Sequence, residues 1–136
     1  MKKILIISAN YYVKISSEMF SEAKSALDNS KSLDGKKKNF KYEIINVPGV
    51  FEIPVIISKN IKKYDGFIAL GCVIKGETPH FDFISQATTN AIMTLSIDYK
   101  KPVGNGIITC LSQEQAKARS KKGREAAEAV ISVLSK

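Results

Sequence analysis

Two short segments of almost uninterrupted apolar residues most constrain what this chain can fold into. They are residues 3–8 (KILIIS) and 66–73 (GFIALGCV). A strand with one face in water alternates apolar and polar residues, whereas continuous apolar runs are typical of parallel strands that are buried on both faces. Residues 42–47 and 103–109 supply two further strand-like segments. The sequence therefore predicts four parallel strands.

Between and after these strands, apolar residues recur at the spacing of amphipathic helices. We predict helices over residues 14–29 and 51–60, a third that begins near residue 80, and a single last helix that begins at residue 112. Pro54 is expected in the first turn of the second helix, where its missing N–H costs little. Ser112 and Gln115 have the spacing of a capping box for the last helix. The expected apolar faces are Ile15, Met19, Ala23, Ala26 and Leu27 in the first helix, Ile84, Ala87, Ala91 and Leu95 in the third, and Ala127, Val130 and Leu134 in the last.

The resulting order, β-α-β-α-β-α-β-α, predicts a three-layer α/β fold with a four-stranded parallel sheet flanked by helices and right-handed crossovers. The chain has 136 residues, which is enough for one such domain and too few for two of ordinary size. Residues 1–136 are therefore expected to form a single domain. Ligands of such sheets bind outside the carboxyl ends of the strands. That edge is expected to hold Tyr11 and residues 48–52, 75–80 and 105–110.

Composition and cysteine spacing argue against several classes of protein. The first residues, MKKILIISAN, have the lysines of a signal peptide, but the apolar stretch covers only residues 4–7 and no cleavage site follows it. No apolar run approaches the roughly 20 residues that cross a bilayer. Cys72 and Cys110 lie far apart and have no metal-ligand spacing. We expect two reduced, partly buried thiols, no metal site, no membrane partner and a cytoplasmic location.

The charge balance favours an anionic partner. The formal net charge is +8, from 21 lysines and arginines against 13 acidic residues, which suits nucleic acid, a membrane surface or a phosphorylated metabolite. The lysines of residues 36–39 follow the turn signal Asp34-Gly35 and are interpreted as part of a solvated loop. A second basic cluster comprises Lys117, Arg119, Lys121, Lys122 and Arg124. The chain has no basic stripe with interleaved aromatic residues and no nucleic-acid-binding motif, so no nucleic-acid partner is expected.

Several residues near the predicted carboxyl edge are candidates for chemistry. Residues 76–78 (GET) precede the third helix, where backbone N–H groups and a hydroxyl can bind an oxyanion; an ordinary strand-to-helix connection is an equal alternative. The phosphate-loop pattern GxxxxGK[ST] is absent. His80, the only histidine, can transfer protons, cap a helix or lie on the surface without a role. Arg119 can clamp a phosphate or belong to a solvated helix face. Tyr11 and Phe51 can stack on a planar ligand or take core or interface positions.

Three segments together form a specific pattern. They are residues 47–55 (VPGVFEIPV), 71–85 (GCVIKGETPHFDFIS) and 105–119 (NGIITCLSQEQAKAR). In this order and spacing they closely resemble the lumazine synthase family of riboflavin biosynthesis, and the resemblance covers almost the whole chain. It implies a flavodoxin-like α/β subunit and a homopentamer, which in some members builds an icosahedral shell of sixty subunits. It also implies active sites that lie between neighbouring subunits.

The resemblance also implies roles for single positions. His80 matches the residue that transfers protons, and Tyr11 matches an aromatic that stacks on the pyrimidine of 5-amino-6-(D-ribitylamino)uracil. The positions that match contacts to the pyrimidine and its ribityl chain are Tyr11, Val50, Phe51, Glu52, Val73, Ile74, Lys75 and Asn105. The positions that match contacts to the phosphate of 3,4-dihydroxy-2-butanone 4-phosphate are Glu77, Thr78 and Arg119.

The implied reaction joins these two small-molecule substrates into 6,7-dimethyl-8-ribityllumazine and releases phosphate and water. It is the transferase reaction of the penultimate step of riboflavin biosynthesis, and it requires neither a metal nor a redox cofactor. A non-catalytic module that binds a flavin-like or pterin-like ligand on the same fold is the alternative, because fold does not dictate activity.

The chain departs from the family pattern at three places. Lys75 stands where an arginine is common, and a lysine lacks the fork geometry of a guanidinium. Asn105 stands where many members have phenylalanine. The connection after Arg119 is shorter than usual, which leaves open whether Lys121 or Lys122 takes the place of the family's site lysine.

Overall fold

The four predicted strands are present and belong to one sheet. The computed structural model describes residues 1–30, 35 and 40–136, so the predicted lysine loop at 36–39 lies outside the described residues. The strands are β1 (Lys2–Ala9), β2 (Phe40–Val47), β3 (Gly66–Ile74) and β4 (Val103–Cys110). They run parallel in the order β2-β1-β3-β4. This confirms the predicted parallel sheet.

Strand β1 lies in the interior of the sheet. It pairs with β2 along one side and with β3 along the other. From Ile4 to Ala9 every residue of β1 is buried. Because helices cover both faces of the strand, neither set of alternate side chains reaches water, and the apolar run is therefore continuous.

The helices form one layer on each face of the sheet. In the described residues they are α1 (Val13–Asp28), α2 (Ile53–Asn60), α3 (His80–Tyr99), α4 (Gln113–Ala118) and α5 (Lys122–Leu134), with a 3₁₀ turn at Val50–Glu52. Helices α1, α4 and α5 pack on one face, around Ile6 and Ile68. Helices α2 and α3 pack on the other face, around Leu5 and Phe67. The predicted three-layer α/β architecture is confirmed, and none of the helices described here is long and apolar enough to span a membrane.

The first two helices follow their predictions closely. In α1 the predicted apolar residues Ile15, Met19, Ala23 and Leu27 are buried, and Ala26 is partly buried. The second predicted helix begins as the 3₁₀ turn and continues as α2, with Pro54 in the first turn of α2. Both elements were predictable because their signals lie within a few neighbouring residues.

The prediction of a single last helix is wrong, because the segment forms two helices, α4 and α5. The Ser112 hydroxyl accepts a hydrogen bond from the Gln115 N–H (3.2 Å), while the Gln115 side chain accepts from the Leu111 N–H (2.8 Å) rather than from Ser112. Arg119 then leaves helical geometry, with φ −109° and ψ 15°. The following residues are joined by short-range bonds from Lys122 N–H to the Arg119 carbonyl and from Gly123 N–H to the Ser120 carbonyl.

The predicted apolar face of α3 is wrong at one position. Ala87 is exposed, whereas Thr88 and Ile92 are the most buried residues of this helix. Residues four apart lie above one another on a helix, so the row that faces the sheet runs through Ile84, which is partly buried, and through the buried Thr88 and Ile92. The hydroxyl of Thr88 is buried and makes no hydrogen bond with any described residue. The prediction included Ala87 because alanine is apolar, but packing against the sheet determines which row of side chains is buried.

Gly123 is expected to be essential for the packing of α5 against α1. A Cβ at this position would collide with the backbone carbonyl oxygen of Met19 in α1. A backbone atom cannot rotate away as a side chain can, so Gly123→Ala must push the two helices apart. We expect the variant to lose about 2 kcal/mol of unfolding free energy, measured by chemical denaturation.

The matched control is Gly76→Ala. A Cβ at Gly76 would meet no atom of the described residues within 4 Å, and the backbone of Gly76 is not in the left-handed region. Its unfolding free energy is expected to stay within about 1 kcal/mol of the wild type. Equal losses in the two variants would show that the close helix contact is not the cause.

Candidate active site at the carboxyl edge of the sheet

A cavity of about 670 Å³ lies where the carboxyl ends of β1, β2 and β3 meet. Its volume is in the range that holds a small organic ligand. Seven of the predicted site residues line it, namely Tyr11, Val50, Phe51, Glu52, Val73, Ile74 and His80. The topology therefore brings together segments that are up to 69 positions apart in sequence, from Tyr11 to His80.

The 3₁₀ turn forms one wall of the cavity because Gly71 in β3 lets the turn approach the strand closely. Gly49 is extended and its carbonyl accepts the Glu52 N–H at 3.2 Å, which closes the turn. A Cβ at Gly71 would collide with the side chain of Val50. Gly71 thus allows Val50 to lie directly against the strand, and Phe51 and Glu52 are carried to the cavity.

The connection from β3 to α3 forms the rim of the cavity between Ile74 and His80. The Lys75 N–H donates to the Cys110 carbonyl at 2.9 Å, which ties the rim to β4. The Thr78 hydroxyl accepts from the His80 N–H at 3.4 Å. Lys75, Glu77, Thr78 and His80 are all exposed. Together with the N-terminus of α3, this polar rim has the chemistry of an anion site.

Arg119 lies in a different pocket from His80. This second pocket, of about 440 Å³, lies beside β4 and is lined by Thr109, Arg119, Lys121, Lys122 and Glu125 among others. An Nη of Arg119 donates to the Thr109 carbonyl at 3.2 Å. The ammonium of Lys122 lies 3.4 Å from a carboxylate oxygen of Glu125. The pocket is therefore rich in cationic groups.

Asn105 lines neither of these two spaces. It is exposed on β4, which is an edge strand, and its side-chain oxygen accepts the Ile107 N–H at 3.1 Å. Within one chain the predicted site residues therefore fall into a main cavity, its rim, the basic pocket and the outer edge of β4.

Four residues that line the cavity were not among the predicted site residues, namely Tyr12, Gly49, Cys72 and Ile84, although Gly49 lies within the range 48–52 that was expected at this edge. Burial raises the pKa of the Cys72 thiol to about 12, and the neighbouring Cys110 adds to the rise. Burial also raises the pKa of the Tyr12 phenol. Both groups therefore stay protonated at neutral pH, so Cys72 is not a nucleophile there. The described residues contain no cluster of side chains suited to a metal ion.

Tyr12 could have been predicted as a site residue, because it is the second of two adjacent tyrosines that follow β1. The pattern of the sequence singled out Tyr11, but a turn of two adjacent aromatic residues can present both to one cavity. Cys72 and Ile84 carried no comparable signal, because each is an ordinary apolar residue of its strand or helix.

The fold and the cavity define a three-layer α/β protein with a cavity of small-molecule size at the carboxyl edge of a parallel sheet. Residues 1–136 match the family model of 6,7-dimethyl-8-ribityllumazine synthase. The chain belongs to the lumazine synthase family.

Curated relatives carry the same description. A 6,7-dimethyl-8-ribityllumazine synthase of Bartonella bacilliformis is 39% identical over 140 residues, which cover 96% of this chain and 87% of the relative. One from Bartonella tribocorum is 40% identical over 139 residues, with coverages of 96% and 87%. One from Agrobacterium fabrum is 36% identical over 143 residues, with coverages of 96% and 91%. The similarity therefore extends over nearly the full length of both chains.

Proposed function

We propose that this protein catalyses the condensation of 5-amino-6-(D-ribitylamino)uracil with 3,4-dihydroxy-2-butanone 4-phosphate to 6,7-dimethyl-8-ribityllumazine. The observation that carries the proposal is the main cavity, which combines the aromatic ring of Tyr11, the turn at Val50–Glu52 and the only histidine of the chain. Membership of the lumazine synthase family supports the same reaction.

The reaction suits a site of this composition. The 5-amino group of the pyrimidine adds to the ketone and water leaves, which gives an imine. Elimination of phosphate and closure of the second ring, with loss of another water, complete the product. Each step moves protons, and His80 at the cavity rim is the group proposed to transfer them. Bringing two substrates together in one cavity supplies a large part of the acceleration.

The ring of Tyr11 and the residues of the turn and of the end of β3 are proposed to hold the pyrimidine and ribityl chain. Lys75 and Asn105 are proposed to contact the same substrate. Glu77 and Thr78 on the rim, together with Arg119, are proposed to bind the phosphate, because a helix N-terminus and a guanidinium both stabilise an anion. As phosphate leaves, the same groups offset its developing charge.

We propose that the complete site is shared between two copies of the chain in a homo-oligomer. Within one chain His80 and Arg119 line different spaces, so a second copy can bring its Arg119 pocket to the cavity of the first. Helix α3 supports an assembly, since Phe83, Met93 and Ile97 are 67%, 59% and 65% exposed. Several large apolar side chains exposed on one helix favour a contact with another subunit. A pentamer is the proposed state.

Mixed oligomers test this sharing. The assay uses a concentration of the phosphate substrate far below the KM of Arg119→Ala, so that both variants are nearly inactive alone. Subunits of His80→Ala and Arg119→Ala, dissociated and reassembled together, are expected to regain activity because some sites then combine an intact His80 with an intact Arg119. Each variant reassembled alone is the control. A mixture that stays as inactive as the two parents would place both residues in the site of one subunit.

We also infer that residues 1–136 form one domain, which is supported by the single sheet that all four strands share. The location is cytoplasmic, which is supported by the two free thiols, since reduced cysteines are typical of that compartment.

The direct test is to supply the purified protein with both substrates and follow lumazine absorbance and phosphate release together. Equal amounts of the two products are expected. Light scattering on the same sample reports the oligomeric state. A folded oligomer that forms no product, but binds a flavin-like or pterin-like compound, would favour the non-catalytic alternative.

A further inference from the structure

The side chain of Tyr11 lies at the cavity but receives little support from the core. It is 75% exposed, and it occupies the turn between β1 and α1. An exposed aromatic ring can sample several rotamers, and each rotamer other than the stacking one lowers the affinity for a planar ligand. A neighbouring group must restrict the ring if it is to form a stable platform.

Tyr12 is placed to restrict it. The rings of Tyr11 and Tyr12 meet edge to face, with their centroids 4.9 Å apart and their planes at 76°. This is a favourable geometry for an aromatic pair. Tyr12 also lines the main cavity, so the contact occurs at the site itself.

Tyr12 is itself well anchored. Its ring is partly buried and packs against the core cluster of α1, α4 and α5. Its carbonyl accepts hydrogen bonds from the Ser16 N–H (2.9 Å) and the Ser16 hydroxyl (3.0 Å), and that hydroxyl lies 2.6 Å from the Ala9 carbonyl. Ser16 thus joins the end of β1 to the start of α1. The turn between them is held at both ends.

We propose that Tyr12 is a positioning residue that fixes the ring of Tyr11 as a platform for the heteroaromatic substrate. The proposal rests on the proposed function, because it assigns the pyrimidine as the ligand of that platform. Tyr12 acts through Tyr11 and makes no essential contact of its own with the ligand. Its hydroxyl is not required, because the contact is made between the two rings.

The first measurement is the ¹⁹F spectrum of protein labelled with 3-fluorotyrosine, which contains five tyrosines. Tyr11→Phe identifies the resonance of Tyr11. In Tyr12→Leu this resonance is expected to move towards the position of free fluorotyrosine and to narrow, because the ring gains motion. Tyr12→Phe is expected to retain the position and width of the wild type.

The second measurement is the KM of each substrate. Tyr12→Leu is expected to raise the KM of the pyrimidine about threefold to tenfold, the usual worth of an aromatic pair, and to leave the KM of the phosphate substrate unchanged. Tyr12→Phe is expected to restore the pyrimidine KM. In a Tyr11→Ala background Tyr12→Leu is expected to have no further effect, since its action passes through Tyr11.

The matched control is Tyr64→Leu. Tyr64 also forms an edge-to-face pair, with Phe67 at 6.1 Å and 62°, but it lies before β3 at the opposite edge of the sheet. Its loss is expected to lower the melting temperature while the Tyr11 resonance and the pyrimidine KM stay as in the wild type.

The outcomes separate this proposal from the function on which it rests. An unchanged Tyr11 resonance in Tyr12→Leu would overturn the positioning contact. A full effect of Tyr12→Leu in the Tyr11→Ala background would overturn action through Tyr11 and indicate a direct contact of Tyr12 with the ligand. A Tyr11→Ala variant with unchanged pyrimidine KM would overturn the assigned ligand, whatever the spectrum shows.

Discussion

Replacing His80 with alanine is expected to lower kcat by roughly 100-fold, the lower end of the usual effect of a general acid or base. The lower end applies because His80 is exposed at the rim of the cavity, where water can carry part of the proton transfer. The KM of both substrates is expected to change little, since the role assigned to His80 is in the reaction steps. Steady-state kinetics with each substrate varied in turn would measure both quantities.

Two controls sharpen this prediction. Gln86→Ala changes another exposed residue of α3 that does not line the cavity, and it is expected to retain the wild-type kcat. Added imidazole is expected to restore part of the activity of His80→Ala, because the rim is open to solvent. A His80→Ala variant with kcat within a factor of two of the wild type would remove His80 from the chemistry.

Replacing Arg119 with alanine is expected to raise the KM of the phosphate-bearing substrate about 10-fold to 100-fold. A hydrogen bond to a charged group is worth about 1.5–3 kcal/mol, and the guanidinium of Arg119 lies in a pocket with the cationic side chains of Lys121 and Lys122. Arg119→Lys is expected to recover only part of the loss, because an ammonium cannot bind two phosphate oxygens with a planar fork. The KM of the pyrimidine should stay unchanged.

Lys117→Ala is the matched control for Arg119→Ala. It removes the same charge from the adjoining helix α4 but lies outside the basic pocket. A general effect of charge would raise the KM of the phosphate substrate equally in the two variants and fall with added salt. If Arg119 contacts the phosphate directly, only Arg119→Ala would raise this KM.

Most of the fold could be predicted from the sequence because its signals are local. The continuous apolar run of β1 reflects burial on both faces of the strand. The helical spacing of apolar residues in α1 reflects burial on one face of the helix. The position of Pro54 in the first turn of α2 follows from the missing N–H of proline. Each of these signals lies within a few residues, so no knowledge of distant contacts was needed.

The errors occurred where packing between distant segments competes with local preference. The break between α4 and α5 accompanies the close approach of Gly123 to the backbone of Met19, which no pattern in residues 112–134 records. The exposure of Ala87 and the burial of Thr88 depend on which row of α3 faces the sheet. A difference in apolar character between two adjacent residues is too small to determine that choice.

For the candidate site, the sequence by itself determined which residue types are available and that they follow the ends of strands: Tyr11 after β1, the turn after β2 and His80 after β3. Only the tertiary structure decided which of them share a space. It places His80 with Tyr11 in the main cavity and Arg119 in the basic pocket beside β4. The physical reason is that strand and helix periods extend over a few residues, whereas the distance between side chains far apart in sequence depends on strand order and helix packing.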